Sequence, residues 1–304
     1  MRVSRYWTCF LTGLSLVATA DAAQSIDWYS PSQRTNLTSS GAAMDGNFQF
    51  QLGVFSTGFV PTTANMVDWA ANWIPADSST YNPAVNARSF GSFHTLTGNV
   101  APFTVGAKAY VWGRGAGSAN DEWILFRATS WTWPAASLTG PSPFPLDWSA
   151  ATANEVILGT VNASGSPSLM QSVAVVTYQN WRNTVLAGQP LNGPTDDPDK
   201  DGVPNILEYL FNTSPVIAGA PTATPVAMVD VSGQKYLEIT IPRLRERLVS
   251  LTVEVSSDLV TWQSGASATT VVSNTSTQLV VRDQTAISAA TPKRFMRLKA
   301  VLRP

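Results

Sequence analysis

Apolar positions fall in short runs from Gly46 onward, at 48–55, 107–112, 123–128, 155–159 and 169–176. Runs of this length, rich in aromatic and β-branched side chains and bounded by turn residues, predict strands. Turn-forming stretches at 115–120 and 140–145 separate them. Between Thr63 and Ile74 the period changes, since a helix there would turn Asn65, Asp68 and Asn72 to water and put Trp69 and Trp73 on one stripe. Residues 24–177 are therefore expected to form a Trp-rich β-sandwich or barrel.

After Val176 the pattern is helical again: 178–186 places Trp181 and Val185 at i and i+4. Residues 188–195 contain two prolines and two glycines and cannot continue that helix. A second short helix is expected from Asn205 to about Phe211, with Pro215 beyond its end. Further on, 236–241 and 251–255 alternate cleanly, and 278–281 and 295–301 supply more strands, with Trp262 between. The expectation is a mainly β chain, two β-sandwich-like domains (24–177 and 216–304) joined by a connector over 178–215.

The N-terminus changes the setting. Arg2 and Arg5 precede an apolar run over 6–18, followed by Ala20, Asp21, Ala22 and Ala23. Charge, apolar run and small residues in that order predict a secretory signal peptide over 1–23, cleaved after Ala22 or Ala23. Cys9 lies inside the run, so the mature chain would carry no cysteine and an exported fold would rest on its core and on any metal it binds. Charged residues are 13% of the chain and the net charge is −1. Such a surface gives no electrostatic reason to expect nucleic acid or anionic membrane as partner, and no second apolar segment marks an integral membrane protein. The Asn-x-Ser/Thr sequons at Asn36, Asn162, Asn212 and Asn274 are what chance supplies in so Ser/Thr/Asn-rich a chain.

Residues 197–208, Asp-Pro-Asp-Lys-Asp-Gly-Val-Pro-Asn-Ile-Leu-Glu, specify the narrowest chemistry. A hard divalent cation takes six to eight oxygens, and Asp197, Asp199 and Asp201 at alternate positions turn three carboxylates inward around a bend at Gly202. The Val203 carbonyl, Asn205 (directly or through water) and a bidentate Glu208 would complete a Ca2+ shell. Four carboxylates so spaced repel one another unless a cation lies between them. The competing reading is a solvated linker built of ordinary turn dipeptides. Pro204 has no N–H for a partner loop and no second such loop exists, so a paired sensor is not expected.

This loop resembles a single thrombospondin type 3 repeat, and the single copies of it found near the C-terminus of secreted bacterial surface proteins. The resemblance covers about fifteen residues plus the Trp181 helix, and carries Asp197, Asp199, Asp201, Asn205 and Glu208 as ligands. It implies calcium binding where a functional region joins a β-rich terminal module, and so a calcium-loop connector acting as a hinge that the ion stiffens. A single copy departs from the arrays of that family, so array-like mechanics are not expected here. Residues 253–262 and 294–298 resemble the terminal modules of the same proteins, and the strand spacing after 221 is similar to small sandwiches of immunoglobulin or fibronectin type III kind.

Other candidates are weaker. Eight of the ten tryptophans beyond residue 23 lie from Trp28 to Trp148. Trp131 and Trp133, two apart on an extended segment, would present parallel rings to a carbohydrate; core packing is the competing reading. His94 is alone and builds no zinc site. Asp121 and Glu122 are adjacent, so a strand would point them to opposite faces and keep them from flanking one glycosidic bond. Gly113 to Gly117 lacks the Lys-Ser/Thr of a phosphate loop. Arg243, Arg245 and Arg247 read as a solvated strand edge. The functional expectation is an exported calcium-binding structural or binding module, whose partners beyond calcium are a carbohydrate or another surface protein; a secreted hydrolase is the remote alternative.

Overall fold

The computed structural model describes residues 22–116, 120–138, 144–219, 226–244, 246–275 and 277–302. Residues 1–21 of the expected signal peptide (1–23), residues 117–119 and 140–143 of the two expected turns, and Arg245 lie outside these. The fold is mainly β. Its largest sheet has six strands, in the order Glu155–Leu158, Asp121–Arg127, Tyr110–Ala116, Gln49–Phe55 and Trp73–Thr80, with Val173–Val175 also pairing Asp121–Arg127. All these pairings are antiparallel. A three-stranded sheet, Leu146–Ser149, Ser25–Tyr29 and Gly91–Thr95, shares the first core with it: Ile26 and Trp28 from the small sheet meet Phe50, Leu52, Ile124 and Phe126 from the large one.

The large sheet is buried on both faces. Trp112, Trp123 and Leu125 point away from the first core and join Phe55, Trp69, Trp73 and Tyr110 in a second cluster. The continuous apolar run of Asp121–Arg127 anticipates this, since a one-sided strand would alternate. Gly113 has a steric reason: a Cβ there would come within 2.4 Å of the Phe50 ring and 2.7 Å of Ile124. The expected helix near 63–74 is short, a 3-10 turn Met66–Asp68 running into α1 (Trp69–Asn72), and Trp73 already begins a strand. Its polar residues have work besides facing water: Asn65 Oδ1 accepts from Trp69 Nε1 at 2.9 Å, and Asn72 Oδ1 from Ser56 Oγ at 2.5 Å. The run expected as one strand at 169–176 is two, Met170–Gln171 and Val173–Val175, in different sheets. The break falls at Ser172, whose Oγ donates to the buried Glu122 at 2.6 Å.

Among the described residues beyond 225, seven strands form two sheets: Val226–Val231, Gln234–Pro242, Gln278–Asp283 and Thr269–Asn274 in one, Gln263–Ser264, Val249–Ser256 and Phe295–Leu302 in the other. Ile239, Ile241, Val253 and Val281 fill the space between them, and helices α2 (Tyr178–Val185) and α3 (Asn205–Phe211) complete the same core through Tyr178, Trp181, Ile206, Tyr209 and Leu210. The segment expected as the connector, 178–215, packs both its helices onto this core, because their apolar faces have the C-terminal strands to cover them. Arg247, expected at a solvated edge, lies over the Tyr209 ring, 5.0 Å from its centroid, and donates through Nη2 to Asn212 Oδ1 at 2.8 Å.

One ion pair in this region is buried: Arg294 grips Asp283 with two bonds, Nε to Oδ2 at 2.7 Å and Nη2 to Oδ1 at 2.9 Å. The Asp283 side chain is fully enclosed. Asp283→Ala leaves the guanidinium buried without its counter-charge and is expected to cost about 3–5 kcal/mol in urea unfolding. A loss under 1 kcal/mol would mean that Arg294 finds water in the folded chain. No described helix is long and apolar enough to cross a membrane.

Candidate metal centre

The loop before α3 is built by its own side chains. Asp197 accepts from Lys200 N at 2.8 Å through Oδ1 and from Gly202 N at 2.9 Å through Oδ2; Asp199 Oδ1 accepts from Asp201 N at 3.2 Å, and Asp201 Oδ1 from Val203 N at 2.9 Å. These successive Asx turns wind the chain around one point. Lys200 and Gly202 take left-handed backbone angles, φ 64° and 89°, and at the second of these glycine costs nothing. One carboxylate oxygen from each of Asp197, Asp199 and Asp201 lies within 4.8 Å of the others.

The linker is not solvated slack. Asp196 and Pro194 offer their carbonyls to Asn205 N at 2.8 Å and Ile206 N at 2.9 Å, capping donors that the first turn of α3 cannot satisfy itself. Asn205 Nδ2 donates to Gly193 O at 2.9 Å and Leu191 O at 3.3 Å. The side-chain N–H groups of Asn205 therefore belong to the linker, and only its Oδ1 is left for an ion or a bridging water. At the C-terminal end Asn212, at φ 59°, caps α3 in the left-handed conformation, three residues before Pro215.

Three oxygens here, Asp199 Oδ2, Asn205 Oδ1 and Glu208 Oε2, are buried without a hydrogen-bond donor among the described residues. Each such atom costs about 1–3 kcal/mol. Glu208 is 1% exposed, and its other oxygen accepts from Thr213 Oγ1 at 3.3 Å. Burial, and then the charges of Asp199 and Asp201, push the Glu208 carboxyl up to about 7; burial also raises Asp199. A divalent cation would relieve both the unpaired oxygens and the mutual repulsion. The donors are all oxygen, which suits Ca2+ or Mg2+ rather than zinc or copper. Glu208 is outside the 4.8 Å triad but feels the charge of all three of its aspartates.

The tryptophan platform is a correction. Trp131 and Trp133 are each 2% exposed, packed against Trp148 with ring centroids 5.7 and 6.5 Å away. Indoles so enclosed fill the core and offer no face to a sugar. Asp121 and Glu122 do part to opposite faces: Glu122 is held by Ser39 N and Oγ and by Ser172 Oγ, while Asp121 Oδ1 accepts from Asn180 Nδ2 at 3.2 Å. His94 lies 5.6 Å from the Trp133 ring, and burial lowers its pKa.

Compared with models of known protein families, with curated proteins and with solved structures, the chain finds no match.

Proposed function

We propose that this chain is an exported calcium-binding structural module, in which the single thrombospondin type 3-like loop at 197–208 holds one Ca2+ and braces the seam between its β regions. The observation that carries the reading is the set of buried donor-less oxygens on Asp199, Asn205 and Glu208 beside the Asp197, Asp199 and Asp201 carboxylates. Asp197, Asp199, Asp201, Glu208 and the Val203 carbonyl would supply ligands, Asn205 Oδ1 another directly or through water. Export rests on the order of residues over 1–23.

The brace runs through α3. Tyr209 is held from both sides: its hydroxyl donates to Val176 O, just past the strand Val173–Val175 of the large sheet, and accepts from Leu248 N at 2.8 Å, at the start of the C-terminal strands, while its ring meets those of Tyr178 and Trp181 at 5.5 Å and carries Arg247 over its face. Calcium at the head of this helix would fix the seam rather than govern a free hinge, a role in stability and geometry rather than catalysis.

Trypsin tests this directly, because Lys200 is the one Lys or Arg between Arg182 and Lys235. Calcium is expected to slow cleavage after Lys200 at least tenfold, and Asp199→Ala to abolish the protection together with calcium uptake in titration calorimetry. Equal cleavage with calcium and with chelator would end the proposal.

A further inference from the structure

Where the Trp112 and Trp123 face of the large sheet meets the C-terminal strands, a cleft of about 630 Å³ remains. Val67, Trp123, Leu248 and Leu302 give it apolar walls, and Arg114 and Asp121 its charges. That volume is in the range of small-molecule sites, roughly 300–1,000 Å³. Arg114 stands opposite Trp123 in the hairpin register, and Asp121 follows two residues away on the same face. Such diagonal neighbours lie about 7–8 Å apart.

Neither charge has an ionic partner among the described residues. The Arg114 guanidinium rests over the Trp112 ring at 4.5 Å and donates through Nη2 to Gln51 Oε1 at 2.8 Å, an acceptor that Trp73 Nε1 also holds at 2.9 Å. Its Nε and Nη1 have no partner among the described residues. Asp121 Oδ1 takes Asn180 Nδ2, and its Oδ2 has no donor among them. The two do not form an ion pair. Burial lowers the pKa of Arg114 and raises that of Asp121, the direction in which each charge lacks compensation. Half-buried charges of opposite sign, in one cleft and apart, are costly unless something bridges them.

We propose that this cleft binds a small zwitterion with an apolar body, the chemistry of a free apolar α-amino acid, its carboxylate on Arg114, its ammonium on Asp121 and its side chain against Trp123, Leu248 and Leu302. A simple anion would meet repulsion from Asp121 and a simple cation from Arg114. A sugar ring would need an open aromatic face, but Trp123 is 8% exposed and stacked on Trp69, 6.1 Å between centroids. The proposal stands independently of calcium.

Titration calorimetry of the full chain, calcium present, with leucine, isoleucine and phenylalanine tests it. At least one is expected to bind saturably, with affinity falling tenfold or more for Asp121→Asn, for Arg114→Gln, and for the ligand capped as its N-acetyl amide. Asp121→Asn is isosteric, so it stays decisive should Arg114→Gln fail to fold, as near-UV circular dichroism would reveal. No saturable binding of any of the three, equal binding of the capped ligand, or binding indifferent to Asp121→Asn would overturn the proposal. A calcium titration of the same sample separates the two readings: normal metal uptake without amino-acid binding rejects the cleft alone.

Discussion

Removing calcium is expected to lower the melting temperature by roughly 5–10 °C when free calcium had stood at a hundred times its dissociation constant. A ligand of the folded state alone contributes about 2.7 kcal/mol at that ratio, and each kcal/mol moves a chain of this class by roughly 2–4 °C. The destabilisation should be local at first. Without the ion, the buried oxygens of Asp199, Asn205 and Glu208 have neither donor nor counter-charge among the described residues, and the cheapest relief is to unwind the loop and the first turn of α3. Asn205 and Ile206 would then lose the caps supplied by Asp196 and Pro194, and Tyr209 its hold on Val176 and Leu248. Differential scanning calorimetry checks the shift. Asp199→Ala should melt at the same temperature with calcium and with chelator; a calcium shift that survives in that variant would place the ion elsewhere.

Trp131→Ala is expected to cost about 3–5 kcal/mol, the range for deleting a large buried aromatic. Trp131 is 2% exposed, stacked on Trp148 at 5.7 Å with planes 15° apart, and within 6.2 Å of the Phe126 ring. Its removal opens a cavity inside the first core that neighbouring strands cannot close, because both sheets are fixed by their own pairing. Urea unfolding measures the loss. A cost below 1 kcal/mol, or a glycan panel on which the native chain binds and this variant does not, would reinstate an exposed role for the indole.

Both results bear on how far the sequence could be read. Helix α3 spans Asn205–Phe211 as its pattern predicts, and α2 spans Tyr178–Val185, since a 3.6-residue period and nearby proline and glycine are local signals. The strands at 48–55, 123–128, 236–241, 251–255 and 295–301 lie within two residues of where alternation and apolar runs put them. Short strands such as Asn36–Leu37 and Gln263–Ser264 escape such a reading, because two residues carry no period and their place is set by partners distant in sequence.

The Asp-x-Asp-x-Asp-Gly spacing by itself determined the three-carboxylate cluster and the bend: side chains two residues apart in a tight turn converge whatever surrounds them, and the left-handed backbone at Gly202 needs no tertiary help. Burial was decided elsewhere. A tryptophan two residues from another is equally able to fill a core or face a sugar, and the stacking of Trp148 settled that for Trp131. Nor could spacing reveal that α2 and α3 belong to the C-terminal core, or that Arg114 and Asp121 share a cleft. Those facts depend on which faces meet after folding, and the apolar area available to cover a helix or a sheet is a property of the assembled chain rather than of any segment in it.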